Sequence, residues 1–168
     1  DERSLDATDK LYEYLGGRRR WAAMRALYIH YLQSDGARGA YPSIQYQSMD
    51  EDRIIVDQLI DDRRFVRILD RDLAWIINDG ELTDMDETNR EFLVYWQRLD
   101  FFRKMHRLAV GEGLRVLVTN ELRLFVMEGD DFLFALQLDS EFRPKVFQRP
   151  RFNDQNISLR LLEWSAYK

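Results

Sequence analysis

The chain contains no cysteine, and its 168 residues include only two histidines, three prolines and eight glycines. The absence of cysteine excludes disulfide frameworks, thiolate zinc sites and cysteine nucleophiles. Apolar runs are short as well, and none approaches the ~18 residues that a membrane-spanning helix requires. We therefore predict a globular chain that is stabilised by its core, with no cofactor, no bound metal and no transmembrane segment.

Acidic residues outnumber basic ones by 30 to 25, which gives a formal net charge of −5. A protein dedicated to nucleic acid needs a basic field against the phosphates, so we expect no nucleic-acid partner. The arginine run 18–20 is the strongest basic candidate, but Asp9 and Glu13 are close enough to weaken it. With 45% apolar residues over this length, we expect a single domain spanning residues 1–168.

The first 25 residues have the pattern of two helices. Ser4 is predicted to cap the first helix, and the glycines at positions 16 and 17 are predicted to end it. A short helix over 18–25 should then turn Trp21 inward. The apolar stripe of the first helix consists of Leu5, Thr8, Leu11, Tyr12 and Leu15.

From residue 26 the apolar period changes to two, which indicates β-strands. Short polar turns separate the strands, as in an antiparallel meander; Gly36 and Gly39 bracket the first turn. The strands predicted before the central helix are 26–32, 41–49, 53–60, 63–69 and 73–77. Those predicted after it are 114–119, 122–128, 132–138, 145–148 and 157–164, with a loop over 149–156.

A central helix is predicted between the two groups of strands. Asp84 or Asp86 should cap its start, and Gly111 should end it. The stripe expected to face the sheet comprises Phe92, Tyr95, Trp96, Leu99, Phe102 and Met105. The side expected to face solvent holds Arg90, Gln97, Arg98, Lys104 and Arg107. This order of elements predicts an α+β fold, with helices on one face of a curved antiparallel sheet.

The sequence contains none of the common catalytic or cofactor motifs. The segment 111–113 (GEG) lacks the third glycine of a dinucleotide fingerprint, and it follows a helix instead of opening one. The spacing of His30 and His106 does not indicate a metal site, and His106 is better explained by the helix dipole. Carboxylate pairs such as Asp61-Asp62 fall at predicted turns, where Asp favours the turn itself over glycosidase chemistry.

Aromatic residues make up 13% of the chain, which is more than we expect for a tightly packed core of this size built mainly from smaller aliphatic residues. Bulky residues on the concave face of a curved sheet can leave an apolar cavity, although ordinary core packing is the alternative. The predicted ligand cavity is lined by Phe65, Trp75, Phe92, Tyr95, Trp96, Leu99, Phe102, Phe125 and Phe132.

Three segments of the chain resemble exported proteins of the LolA/LolB-type lipoprotein-carrier superfamily. The first is 10–17 (KLYEYLGG), which is followed by Trp21 and a strand at Leu27. The second runs from 71–75 (RDLAW) through the turn 78–80 to the helix at 95–108. The third is the pair 138–139 with 143–144. The resemblance is one of layout, and it extends over most of the chain.

The resemblance implies a half-barrel, whose concave face is covered by an N-terminal and a central helix. It also implies an apolar cavity for a lipid or acyl chain, a periplasmic or cell-envelope location, and an envelope protein as a further partner. Carriers of this kind have an arginine in the cavity, for which Arg53, Arg64 and Arg67 are the candidates. The start at Asp1, without an initiator Met, fits either a processed exported protein or a trimmed sequence.

We therefore expect a non-enzymatic, exported domain that binds a lipid or another apolar ligand between its sheet and the helix Phe92–Met105. The alternative is an envelope protein-interaction or structural module whose core is filled by its own side chains. A hydrolase that uses turn carboxylates is the third hypothesis, and it requires a buried acid with a raised pKa.

Overall fold

The computed structural model describes residues 2–34, 39–111, 113–152 and 155–160. These residues form an α+β fold with four α-helices and two antiparallel sheets. The helices are α1 (Glu2–Tyr14), α2 (Arg18–Ala23), α3 (Glu87–Arg98) and α4 (Phe101–Val110). The first sheet has the order β1 (Ala26–Ser34), β2 (Ala40–Ser48), β3 (Arg53–Ile60), β4 (Arg63–Asp70), β5 (Leu73–Asn78) and β6 (Glu81–Asp84). The second sheet consists of β7 (Leu114–Val118), β8 (Arg123–Glu128), β9 (Asp131–Leu138), β10 (Pro144–Phe152) and β11 (Gln155–Arg160).

The chain divides into two compact units. The central unit comprises residues 24–104 and holds the six-stranded sheet, and the discontinuous unit comprises 1–23 and 105–168 and holds the five-stranded sheet. The predicted α+β fold with antiparallel strands is confirmed, but the strands expected in one sheet are divided between two. The single domain over 1–168 stays a prediction. None of the described helices is long and apolar enough to span a membrane.

Uninterrupted antiparallel pairing fixes which side chains share each face of the six-stranded sheet, since successive residues point to opposite faces. One cross-strand row, which we use to define the inner face, consists of Gln47, Ile54, Leu69 and Ala74. The adjacent row, on the outer face, consists of Tyr46, Ile55, Ile68 and Trp75.

Helix α3 lies against β4 of the central unit. The side chain of Asp86 accepts a hydrogen bond from the backbone N–H of Asn89 at 3.0 Å, which confirms Asp86 as the cap. Asp84 instead ends β6, a short strand that the sequence did not predict because its four residues are all exposed. The apolar cluster beneath α3 consists of Ile54, Val56, Leu69, Ala74, Met85 and Leu93.

The buried line of α3 differs from the predicted aromatic stripe. Leu93 and Gln97, one turn apart, are its buried residues, and the aromatic residues of the predicted stripe on this helix are only half-buried. The side-chain amide of Gln97 donates to the carbonyl oxygens of Glu51 at 3.1 Å and Arg53 at 2.8 Å. The prediction that Gln97 faces solvent is therefore wrong, because the turn between β2 and β3 offers it two acceptors.

The central helix, predicted as one element, is broken between α3 and α4. The Oδ1 atom of Asp100 accepts hydrogen bonds from the backbone N–H groups of Phe102 at 2.9 Å and Arg103 at 3.2 Å. Asp100 thus starts α4 in the manner of an N-cap, and the same oxygen accepts a bond of 2.7 Å from Nε2 of Gln47. Lys104, which was predicted to face solvent, is buried.

Two glycines end α1 as predicted. The N–H of Gly17 donates to the carbonyl of Tyr12 at 2.7 Å, and its φ of +104° is one that favours glycine. Ser4 is buried inside α1 and does not cap it, because the helix begins at residue 2. Trp21 is buried as predicted, and its indole N–H donates to the carbonyl of Leu15 at 3.0 Å.

The five-stranded sheet of the discontinuous unit is built around buried apolar side chains on β8 to β10. The rings of Phe134 and Phe147 lie 5.3 Å apart on the neighbouring strands β9 and β10, and α1 lies against β7. The loop predicted over 149–156 is wrong, because β10 continues to residue 152 and β11 begins at 155. The remainder of the predicted last strand, 161–164, lies outside the described residues, as does the predicted turn at Gly36.

The Asp100 cap generates a prediction about stability. Asp100→Ala removes the acceptor of two backbone N–H groups and of the Gln47 amide, and N-cap substitutions of this kind cost about 0.5–2 kcal/mol. We expect a lower midpoint in urea unfolding for Asp100→Ala and a smaller decrease for Asp100→Asn, which keeps an acceptor oxygen. Equal effects of the two variants would contradict the capping role.

Candidate functional site

The inner face of the six-stranded sheet carries polar side chains at positions where a core would hold apolar ones. Ser43, Gln45, Gln47 and Gln58 are all buried there. Nε2 of Gln45 donates to Oε1 of Gln47 at 3.1 Å, so that these amides are partners of each other. Buried amides without partners cost about 1–3 kcal/mol each, and a polar patch of this size is unusual in a core.

Arg67 on β4 is a cation within this polar face. Its Nη2 donates to Oε1 of Gln58 at 2.8 Å, and Nε2 of Gln58 donates in turn to Oε1 of Gln33 at 2.8 Å. The guanidinium lies over the ring of Phe65, 5.7 Å from its centroid. The Nε–H of Arg67 is buried and has no acceptor among the described residues. We call Tyr31, Gln33, Gln58, Phe65 and Arg67 the Arg67 cluster.

The electrostatics of the Arg67 cluster follow from burial. Burial lowers the pKa of Arg67, while the nearby Tyr31 and Tyr41 act to raise it. Burial raises the pKa of Tyr31, and the carboxylate of Asp100 acts in the same direction, whereas the Arg67 charge acts to lower it. Because the ordinary pKa of arginine lies above 12, the guanidinium remains charged. The other side chains of the cluster are neutral, and the carboxylate of Asp100 lies close enough to act on Tyr31.

Neither of the other two candidate arginines shares this environment. Arg53 and Arg64 lie on the outer face, and each forms an ion pair with a carboxylate. Arg53 pairs with Asp70 at 2.7 Å, and Arg64 makes two hydrogen bonds to Asp57, at 2.7 and 3.1 Å. For Arg67, in contrast, no carboxylate partner is found within the described part of the chain. Of the three candidates, only Arg67 has the surroundings that a ligand-binding cation requires.

The residues predicted to line a cavity lie in different places in the central unit. Phe65 belongs to the Arg67 cluster, and Trp75 lies half-buried on the outer face. On α3 the rings of Phe92 and Trp96 are 6.0 Å apart, edge to face. The remaining members are half-buried Tyr95 on α3, buried Leu99 at its end and half-buried Phe102 on α4. A cavity lined by these residues together stays a prediction.

Two predicted cavity residues belong to the discontinuous unit. Phe125 on β8 and Phe132 on β9 have ring centroids 6.1 Å apart. Phe132 is among the exposed large apolar residues, whereas Phe125 is half-buried under the guanidinium of Arg123. These two form an aromatic pair of their own.

Sequence reasoning missed the glutamines of the inner face. Gln45 and Gln47 stand at alternate positions of a strand that also places Tyr41 inward, and this period of two was available in the sequence. Because glutamine counts as polar in hydropathy, the alternation alone does not indicate that these side chains face inward. The inward direction became visible only through the register with Ile54 and Val56 on β3.

The turn between β2 and β3 is an electrostatic anchor for α3 and α4. Asp52 accepts bonds from Arg98 at 2.8 Å and Arg103 at 3.0 Å. Burial acts to raise the pKa of Asp52, but these two arginines outweigh it and hold the pKa below its usual value. The pKa values of the exposed Asp86 and Glu87 are also lowered, because hydrogen bonds favour the charged forms of these carboxyl groups.

Other features weighed in the sequence have structural explanations. His30 is exposed on β1. His106 lies inside α4 and not at the end of this helix. Its side chain is buried, and Nδ1 lies 2.7 Å from the carbonyl oxygen of Trp21. Within the residues that the structure describes, no cluster of three or more His, Asp or Glu is placed to hold a metal. Arg18 pairs with Asp9 at 2.9 Å, in line with a weakened basic run.

The outer face of the six-stranded sheet bears a shallow apolar groove of about 490 Å³. The rings of Tyr28 and Tyr46 lie 4.7 Å apart at one side of the groove, and Ile55 and Ile68 form its floor. Arg53, already paired with Asp70, stands at its rim. The sheet thus presents a charged polar site on one face and an apolar groove on the other.

Comparison of the chain with protein-family models, with curated proteins and with solved structures found no match.

The Asp52 anchor generates a prediction about pH. The pKa of Asp52 is lower in the folded chain than in the unfolded chain, where it is about 3.9. Asp52 therefore contributes fully to stability at pH values above about 3.9, and this contribution is lost as the pH falls through the pKa of the folded chain. Asp52→Asn should therefore lower the melting temperature at pH 7, and its difference from the wild type should shrink towards pH 3.

The control is Asp50→Asn, which removes an exposed pair with Arg25 at 3.4 Å and should change the melting temperature little. A difference between Asp52→Asn and the wild type that stayed constant from pH 7 to pH 3 would contradict the assignment.

Proposed function

We propose that the chain binds an amphiphilic ligand with an anionic head group, such as a fatty-acid carboxylate or a phospholipid phosphate, and that Arg67 binds the head group. The observation that carries this proposal is a buried guanidinium N–H without an acceptor, on a side chain for which the described residues supply no carboxylate. A ligand anion would supply both the missing acceptor and the missing charge.

The energetics favour a ligand at this position over a purely structural role. Burial of a charge without a counter-charge is costly, and hydrogen bonds to neutral amides offset only part of that cost. Arginine is suited to the task, because its planar fork matches carboxylate and phosphate oxygens in pairs. Nη2 is already held by Gln58, which fixes the orientation of the guanidinium before a ligand arrives.

The neighbours of Arg67 on the inner face are suited to the apolar part of an amphiphile. Val56 and Ile76 stand directly opposite Arg67 on the adjoining strands, and the Phe65 ring lies beneath its guanidinium. At this position the guanidinium can bind the head group while the half-buried Phe65 and Ile76 contact the first carbons of the tail; Val56 is buried in the cluster beneath α3. Each square ångström of apolar surface buried in this way contributes about 25 cal/mol.

Export to the periplasm or cell envelope, and a role in lipid or lipoprotein trafficking, are part of the same proposal. They rest on the resemblance of the sequence to the LolA/LolB-type carriers, as does the half-barrel. The resemblance implies three candidate arginines, and burial and hydrogen bonding support Arg67 among them.

The experiment compares Arg67→Gln with Arg64→Gln, the arginine three residues away on the opposite face of β4. A fluorescently labelled long-chain fatty acid and its methyl ester serve as probes, and the dissociation constant is measured by fluorescence titration. Charged hydrogen bonds contribute about 1.5–3 kcal/mol, so Arg67→Gln should weaken binding of the acid by about tenfold to a hundredfold. Arg64→Gln should bind the acid like the wild type.

The methyl ester distinguishes the head group from the tail. We expect the wild type to bind the ester more weakly than the acid, and Arg67→Gln to bind both with similar affinity. If folded Arg67→Gln, as judged by circular dichroism, bound the acid as tightly as the wild type, the assignment of Arg67 would be wrong. If neither probe bound the wild type, the lipid-binding function itself would be wrong.

A further inference from the structure

We propose that two copies of this chain associate by antiparallel pairing of their β1 strands, which joins their six-stranded sheets into one. This inference is independent of the amphiphile site. It follows from the nature of the sheet edge that β1 forms.

The strand β1 is a long edge without the usual protection against pairing. It lies at one end of the sheet order and pairs with β2 over nine consecutive residues without a bulge. It contains no proline and no Asp, Glu, Lys or Arg, in a chain of which 33% is charged. Natural edge strands are commonly kept short, charged, bulged or interrupted by proline.

The opposite edge of the same sheet differs in length and in charge. Strand β6 has only four residues, and Glu81 and Asp84 stand at its two ends. In the five-stranded sheet, the edge strand β7 has five residues and carries an exposed Arg115. Within the described part of the chain these two edges are protected and β1 has no second neighbouring strand, which favours a pairing partner for β1.

The side chains of β1 are also incompletely buried. On its outer face Tyr28 and Leu32 are 54% and 73% exposed, and His30 between them is exposed as well. On its inner face Leu27 and Ile29 remain half-buried, whereas the inward residues of the neighbouring strand β2 are buried. An additional strand beside β1 would cover both sets.

A second copy of β1 fits this edge in a symmetric register. Two-fold antiparallel pairing centred on His30 keeps all nine residues paired, and it keeps equivalent faces of the two sheets on the same side. It places Leu32 of each copy opposite Tyr28 of the other, so that two exposed apolar side chains cover each other. Because β1 contains no Lys, Arg, Asp or Glu, the pairing sets no like charges of these residues against each other.

The first experiment measures self-association by sedimentation velocity over a range of concentrations. Leu32→Lys is compared with Leu82→Lys, which places the same change on a 63% exposed leucine at the β6 edge. A lysine on an edge strand opposes pairing, so we expect Leu32→Lys to raise the dimer dissociation constant by about tenfold or more. Leu82→Lys should dimerise like the wild type.

The second experiment tests the register, and it uses the absence of cysteine from the chain. Cα atoms directly opposite each other in an antiparallel pair lie about 4.5–5.5 Å apart, which is within the range of a disulfide. Under mild oxidation His30→Cys should form a covalent dimer, whereas Leu82→Cys should stay monomeric on a non-reducing gel.

A wild type that remains monomeric up to high micromolar concentration would overturn the proposal. So would a dimer that Leu32→Lys leaves intact. Equal cross-linking of the two cysteine variants would show random collision instead of β1 pairing, and would overturn the register.

Discussion

The turn between β2 and β3 is the point on which the organisation of the central unit depends. The carbonyl of Glu51 in this turn and that of Arg53 at the start of β3 accept both N–H bonds of the buried Gln97 amide. The carboxylate of the turn, Asp52, binds arginines from α3 and α4. Helix α3 is thereby fixed over β3 to β5, where Leu93 completes the apolar cluster. The inner face towards β1 has a different composition, with buried amides and the Arg67 cluster in place of apolar side chains.

The strands, most helix boundaries and several turns could be predicted because each depends on local chemistry. A period of two in the side chains indicates a strand wherever it occurs, and the glycines after α1 and α4 end those helices through their positive φ angles. The break between α3 and α4 at Asp100 was not predicted, because the residues on both sides of Asp100 are apolar or otherwise compatible with a helix. The amide partner of Asp100, Gln47, lies 53 residues away, and no local pattern reveals such a contact.

The candidate site was predicted only in part, for a reason that concerns composition. Abundant aromatic residues directed attention to Phe65, Trp75 and the stripe on α3, and of these only Phe65 lies in the Arg67 cluster. Glutamine and arginine are counted as surface residues by any hydropathy measure. Their burial depends on the register between strands, which is a property of the folded sheet and not of one segment.

The glutamines around Arg67 have a consequence for how the site responds to its surroundings. Primary amides do not titrate, and the guanidinium keeps its proton throughout the biological range. The charge that the site presents is therefore constant where a site built on histidine or carboxylates would vary. If the affinity of the proposed site for its ligand changed with pH, the change would therefore come from the ionisation of the ligand and not from Arg67 or its amide partners.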